Sequence, residues 1–235
     1  MEPSNIFTGT FVYDFVRGPL VWVAFFVFIA GTCFQVFRFL SMSTLSESVK
    51  LNPGPANILP KKSEENALNK DWFARLKLSI AGVNPFMTIV TTVFHVLLVL
   101  MPLCVLGHNL LLDNAFGISF FSLSEEVSDF LTLIVIICAL IFLYRRLFYD
   151  RVCAITTHAD FLFLLLAAAP FITGYLAYNQ VFTNDYRVII TLHILSGELM
   201  LMAIPFTKFV HMIYFFIARF VVVSEWSLGK GKRTW

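Results

Sequence analysis

Five uninterrupted apolar runs, each about 20 residues or longer, leave this 235-residue chain few folds to adopt. They lie at roughly 19–41, 85–112, 128–148, 156–180 and 186–223. A helix rises about 1.5 Å per residue, so about 20 residues cross the ~30 Å hydrocarbon core of a bilayer. Inside that core each main-chain N–H and C=O must find an internal partner, which favours helix. The expected fold class is therefore all-α: five transmembrane helices in a single integral-membrane domain over 1–235. The composition fits, at 58% hydrophobic residues, 14% charged and a mean hydropathy of +0.80. A soluble domain of this length cannot bury so much apolar surface.

Local signals mark the ends of the runs. Pro19 and Asn84-Pro85 stand where the first and second helices are expected to begin, and Glu125-Glu126 precedes the third. The N-terminus has no basic region and no small-residue cleavage site, so the first run reads as retained. Loop charges give an orientation. Lys50, Lys61, Lys62, Lys70, Arg75 and Lys77 lie in 42–84, Arg145, Arg146 and Arg151 between the third and fourth runs, and Lys230, Lys232 and Arg233 in the tail. The opposite side carries only Arg17 and Arg187 beside Asp113, Glu125, Glu126 and Asp185. The positive-inside rule then places the N-terminus outside and the C-terminus in the cytoplasm. Within 42–84, Trp72, Phe73, Leu76 and Ile80 recur at helical spacing. That pattern fits either a plain amphipathic connector or a platform for a cytoplasmic subunit.

Several chemistries are excluded early. Cys33, Cys104, Cys138 and Cys153 form no C-x-x-C pair and no C-x-x-C-H, which argues against covalent haem and against an iron–sulfur cluster in this chain. They read as small hydrophobes. There is no H-E-x-x-H and no Cys/His cluster for zinc. No basic run interleaved with aromatics points to nucleic acid.

The histidines are the exception to an otherwise greasy chain. His193 and His211 are 18 residues apart, five turns of a continuous helix, so both would leave one face with a rise of about 27 Å between them. That is too far for one metal ion and suits two cofactors stacked across the bilayer. His95 and His108 lie on the second run, which would be antiparallel to the fifth. Pairing then matches His95 with His211 toward the inside and His108 with His193 toward the outside. Each pair would supply both axial imidazoles of a b-type haem. The spacing of 13 leaves His95 and His108 on faces about 140° apart, and Pro102 between them would kink or rewind the helix.

At this point the residues resemble a known family. His193-x17-His211, ending in PFTKFVH, is similar to the last helix of the gamma subunit of respiratory nitrate reductase, a five-helix dihaem cytochrome b. The closer resemblance is to the NarI-like membrane subunits of the Hmc and Tmc transmembrane redox complexes of sulfate-reducing bacteria. YDFVRGPLVWVAFFVF, FHVLLVLMPLCVLGHNLLLDNAFGIS and PFITGYLAYNQ carry it, over nearly the whole chain apart from much of 42–84. The membrane subunits of the Dsr complex and of membrane-bound heterodisulfide reductase are more distant.

The resemblance implies two non-covalent b haems on His95, His108, His193 and His211. It implies a cytoplasmic iron–sulfur partner of the heterodisulfide-reductase type, a periplasmic multihaem cytochrome c, other membrane subunits, and menaquinone as a lipid partner. The setting would be a bacterial inner membrane. The spacing on the second helix is longer than in the nitrate reductase gamma subunit, so haem tilt and quinone-site geometry are not carried over.

Other polar residues extend the reading. Lys208, Arg38 and Arg219 are candidates to pair haem propionates, with snorkelling as the alternative for Lys208. His158 would hydrogen-bond a quinone or a propionate, or serve only structure, and Asp160 would orient it. Glu198, near mid-helix, is either a proton site for quinol chemistry or a hydrogen-bonded structural group. Gly31, Gly107, Gly174 and Gly197 would admit either a flat porphyrin or a neighbouring helix. The expected role is an electron-transfer subunit of an oxidoreductase complex. The rivals are a quinol-oxidising catalytic subunit and a cofactor-free membrane anchor.

Overall fold

Every described element is helical, in a computed structural model that describes residues 11–46, 84–181 and 186–221. The expected interfacial helix near 71–80, the basic residues of 47–83 and the tail beyond 221 lie outside the described residues. Five helices are long and apolar enough to cross a membrane: Phe11–Met42, Pro85–Cys104, Glu125–Phe148, His158–Tyr178 and Tyr186–Phe206. The chain is a multi-pass membrane protein, and its surface is consistent with lipid contact. Trp22, Phe26, Phe37, Phe130 and Leu162 all point outward.

The chain divides into two compact units, residues 1–49 with 157–235 and residues 50–156. In the first, α1 (Val21–Ser46) follows a single π-helical turn, Val16–Leu20. Pro19 sits inside that turn rather than at a helix start. A proline has no N–H to donate, and the wider turn accommodates the gap. The fourth span is α6 (His158–Tyr178), and the fifth opens with α7 (Tyr186–Ala203). α7 packs along both α6 and α1.

The second unit is built on α2 (Pro85–Cys104), α3 (Leu106–Phe116), α4 (Glu125–Phe148) and the short α5 (Asp150–Cys153). Asn84 caps α2 by accepting from the Met87 N–H, with Pro85 in the first turn. Val90, Phe94, Leu97 and Met101 form one buried stripe on α2, and it meets Val135, Cys138 and Ala139 of α4. Phe94 and Phe142 close the contact edge to face at 5.1 Å. Glu125 and Glu126 fall inside the first turn of α4, three residues ahead of the expected start, where carboxylates favour a helix N-terminus.

Two expected helices are each broken. The run 85–112 is interrupted at Val105, whose ψ of 130° is extended. The displaced chain is held by side chains. Asn109, buried, donates to Ser122 Oγ at 2.9 Å and accepts from the Phe120 N–H at 2.9 Å. Gly117 ends α3 in the left-handed region at φ +66°, its N–H on the Asp113 carbonyl.

The run 186–223 is not one long helix. After Ala203 come two 3-10 turns, Ile204–Phe206 and Lys208–Val210, and then α8 (His211–Val221). Pro205 is the cause, since it supplies no N–H and its ring clashes with the preceding turn. Thr207 is extended, and its hydroxyl accepts from the Phe209 N–H. The five-turn count between His193 and His211 therefore does not apply, because His211 opens a new helix.

α1 clamps this break. Gln35 Nε2 donates to the Pro205 carbonyl at 2.6 Å, and Tyr214 of α8 donates to Gln35 Oε1 at 2.8 Å. Pro205 is fully buried against Gly31, where a Cβ would lie 2.6 Å from Pro205 Cγ and 2.8 Å from its Cβ. Gly31→Ala should therefore destabilise the protein by about 1–3 kcal/mol through overpacking. Gly18→Ala, with no heavy atom within 4 Å of the added Cβ, should be close to neutral. Thermal unfolding of the two variants in detergent checks the contrast, and equal melting points would show that the clamp yields.

Candidate functional site

Hydrogen bonding orients four of the five histidines in the same way. His95 Nδ1 lies 2.7 Å from the Thr91 carbonyl, and His108 Nδ1 lies 3.1 Å from that of Pro102. His193 Nδ1 lies 2.9 Å from the Pro170 carbonyl, and His211 Nδ1 lies 2.6 Å from that of Lys208. A carbonyl oxygen only accepts, so each Nδ1 carries the proton and donates it. A neutral ring in that tautomer has its lone pair on Nε2. This is the arrangement by which a second-shell bond prepares a histidine for metal ligation.

Local sequence explains each anchor. His95 reaches back one turn to Thr91 on the same helix. His108 takes a carbonyl at the break, where the extended Val105 interrupts the ladder and Cys104 accepts from Leu123 instead. His211 does the same after the Pro205 break.

His193 crosses from α7 to α6. Gly174 stands one turn beyond Pro170, and a Cβ there would lie 2.9 Å from His193 Cε1 and 3.1 Å from Nδ1. The missing Cβ opens the Pro170 carbonyl to the ring. Thr173 Oγ1 donates to the Ala169 carbonyl at 2.6 Å and lies 3.4 Å from His193 Nδ1 and 3.2 Å from Ser196 Oγ. Ser196 in turn donates to the His193 carbonyl at 2.9 Å. Pro170, Thr173 and Ser196 were not singled out from sequence. A helix-interior proline four residues before a glycine was the available signal.

The glycines separate into two kinds. Gly31 and Gly174 serve close packing, against Pro205 and the His193 ring. Gly107 and Gly197 have no heavy atom within 4 Å of an added Cβ. Gly197 lies four residues after His193 and presents a flat backbone surface.

At the start of α6, Thr157 and Asp160 form a capping box. Asp160 Oδ2 accepts from the Thr157 N–H and hydroxyl, both at 2.8 Å, and Oδ1 pairs with Lys208 Nζ at 2.6 Å. Both oxygens are thus engaged by groups other than His158, which opens the helix as an exposed residue. Lys208 has a protein counter-ion and also supplies the carbonyl that anchors His211. Arg38 is exposed on α1. Arg219 lies on α8, and its side chain is outside the described residues.

Glu198 is buried on α7, and neither carboxylate oxygen has a hydrogen-bond partner among the described residues. A buried polar group without a partner is costly, so its presence marks a functional candidate. Among the described residues no three of His, Cys, Asp or Glu cluster to hold a metal ion. Ligation by paired imidazoles needs no such cluster. His95 and His108 belong to one unit, His193 and His211 to the other.

The chain is similar to a protein of Nitratidesulfovibrio vulgaris (strain Hildenborough), 32% identical over 224 residues, which are 95% of this chain and 97% of that protein. No family model matches the chain, and no solved structure does.

Asp160→Ala removes a helix cap and an ion pair together, whereas Lys208→Ala removes only the pair, whose lysine is exposed to solvent. Asp160→Ala should therefore lower the melting temperature clearly more than Lys208→Ala. Equal losses in thermal unfolding would mean that the capping box contributes nothing.

Proposed function

We propose that this chain, which belongs to one family with the Nitratidesulfovibrio vulgaris protein, is the dihaem cytochrome b subunit of a membrane-bound respiratory complex. It passes electrons between a periplasmic cytochrome c or the menaquinone pool and a cytoplasmic iron–sulfur subunit of the heterodisulfide-reductase type. Its setting is the bacterial inner membrane, with the N-terminus outside and the C-terminus in the cytoplasm. The observation that carries the reading is that Nδ1 of His95, His108, His193 and His211 each lies within hydrogen-bond distance of a main-chain carbonyl, which leaves Nε2 as the ligating atom.

In this reading His95 with His211 and His108 with His193 would each hold one b haem, and a neutral imidazole with its lone pair on Nε2 is the chemistry such ligation needs. When bound, such haems supply reversible one-electron chemistry. The chain's own residues do the rest. Main-chain carbonyls fix the orientation of each ring on its own helix and raise the basicity of each Nε2. Gly197 gives flat backbone beside His193. Arg38, Arg219 and Lys208 are the cations proposed for the haem carboxylates, with Lys208 shared with Asp160. The bilayer spans keep water from the rings.

Pyridine haemochrome analysis of the purified protein should give about two b haems per chain, one for each pair of axial histidines. Alanine at His95 or His211 should remove one, and alanine at His108 or His193 the other. Gly174→Ala pushes on the His193 ring and should perturb the same haem as His193→Ala. A folded, haem-supplied preparation without colour would overturn the reading.

A second reading rests on Glu198. Its buried, unpartnered carboxyl suits a subunit that oxidises quinol and takes up the released proton. Glu198→Gln should then abolish quinol-dependent haem reduction and leave chemical reduction intact. Unchanged quinol kinetics would remove Glu198 from any such role.

A further inference from the structure

Near the start of the first and fifth spans two arginines converge on one tyrosine. The guanidinium carbons of Arg17 and Arg187 each lie 5.9 Å from the centre of the Tyr13 ring. They are therefore within twice that distance of each other. Arg17 Nη1 also reaches the Tyr13 hydroxyl at 3.5 Å. Both arginines are exposed, and Tyr13 is half-buried.

The backbone is shaped to make this arrangement. Arg17 lies within the π turn Val16–Leu20, whose Val16 is buried and which packs against α7, the helix that carries Arg187. A π turn is uncommon and is frequently found at functional sites. Here it sets Arg17 at the same ring as Arg187.

The charge balance is incomplete. The ring attracts each cation, but the two cations repel one another. Among the described residues neither arginine has a carboxylate within ion-pair distance, Asp14, three residues before Arg17, included, and Asp185, two residues before Arg187, lies outside the described residues. In sequence, these are the sole basic residues assigned to their side of the bilayer. Charge at that depth meets the headgroup layer, where the abundant oxyanion is a lipid phosphodiester. The planar guanidinium of an arginine matches two of the phosphodiester's oxygens in a forked geometry.

The geometry points to a binding site for the phosphodiester of an anionic phospholipid, formed by Arg17 and Arg187 and braced by Tyr13. The site is independent of any haem. Two positive charges favour phosphatidylglycerol over zwitterionic phosphatidylcholine, whose choline cation offsets the phosphate.

Native mass spectrometry tests this on the full-length chain in detergent, with any subunits that co-purify. Phosphatidylglycerol or phosphatidylcholine is titrated in and the retained adducts are counted. Phosphatidylglycerol should be retained preferentially, and Arg17→Gln/Arg187→Gln should weaken its retention about tenfold, as expected for losing charge-assisted bonds. If that variant does not fold, Arg17→Lys/Arg187→Lys takes its place. It keeps the charge and loses the fork, and should still retain less phosphatidylglycerol than the wild type.

Equal retention of the two lipids, or a variant that binds phosphatidylglycerol as the wild type does, overturns the site. Protection against thermal unfolding by inorganic phosphate alone assigns the arginines to a soluble anion and overturns the lipid. Loss of bound haem with lipid retention unchanged assigns them to a haem carboxylate, which also overturns it.

Discussion

The bond from a histidine ring to a main-chain carbonyl is the interaction around which the described candidate site is arranged. In hydrocarbon no water satisfies a backbone group that leaves its helix ladder. Three of the histidine anchors lie near prolines of the spans. His108 bonds the carbonyl of Pro102, His193 that of Pro170, and His211 that of Lys208 just beyond Pro205. These bonds set the tautomer of the rings, because a carbonyl oxygen only accepts.

The helix breaks are held by side chains of neighbouring elements. The break at Val105 and the two 3-10 turns around Thr207 cost hydrogen bonds, and the surroundings replace them. Asn109 gathers the chain after α3, and Gln35 with Tyr214 bridges α1 to the break before α8. Gly31 matters because Pro205 must lie flat on α1 for Gln35 to reach its carbonyl. In this way one small residue on the first span governs where the last histidine begins its helix.

Charge is handled locally. Asp160 caps α6 and holds Lys208, so a cation near the end of the fifth span is neutralised by the start of the fourth. Glu198 has no such arrangement among the described residues, and Arg17 with Arg187 shares a tyrosine instead of an acid. These two places are where polar groups are held in a membrane protein at a cost that the described fold alone does not recover.

The five spans were legible in the sequence because crossing a bilayer is a matter of length and hydropathy, both properties of contiguous residues. The histidines stood out for the same reason, as ionisable groups within apolar runs. The face on which each ring lies was not legible. Counting turns from His193 to His211 assumed a ladder that Pro205 interrupts, and the second run breaks at Val105 rather than at Pro102. The anchors of His95, His108 and His211 lie only three to six residues away, whereas the carbonyl that anchors His193, the glycine that admits its ring, and the pairing of Asp160 with Lys208 rather than His158 depend on residues far apart in the chain. Such contacts arise only when helices pack, because no local preference of the chain encodes them.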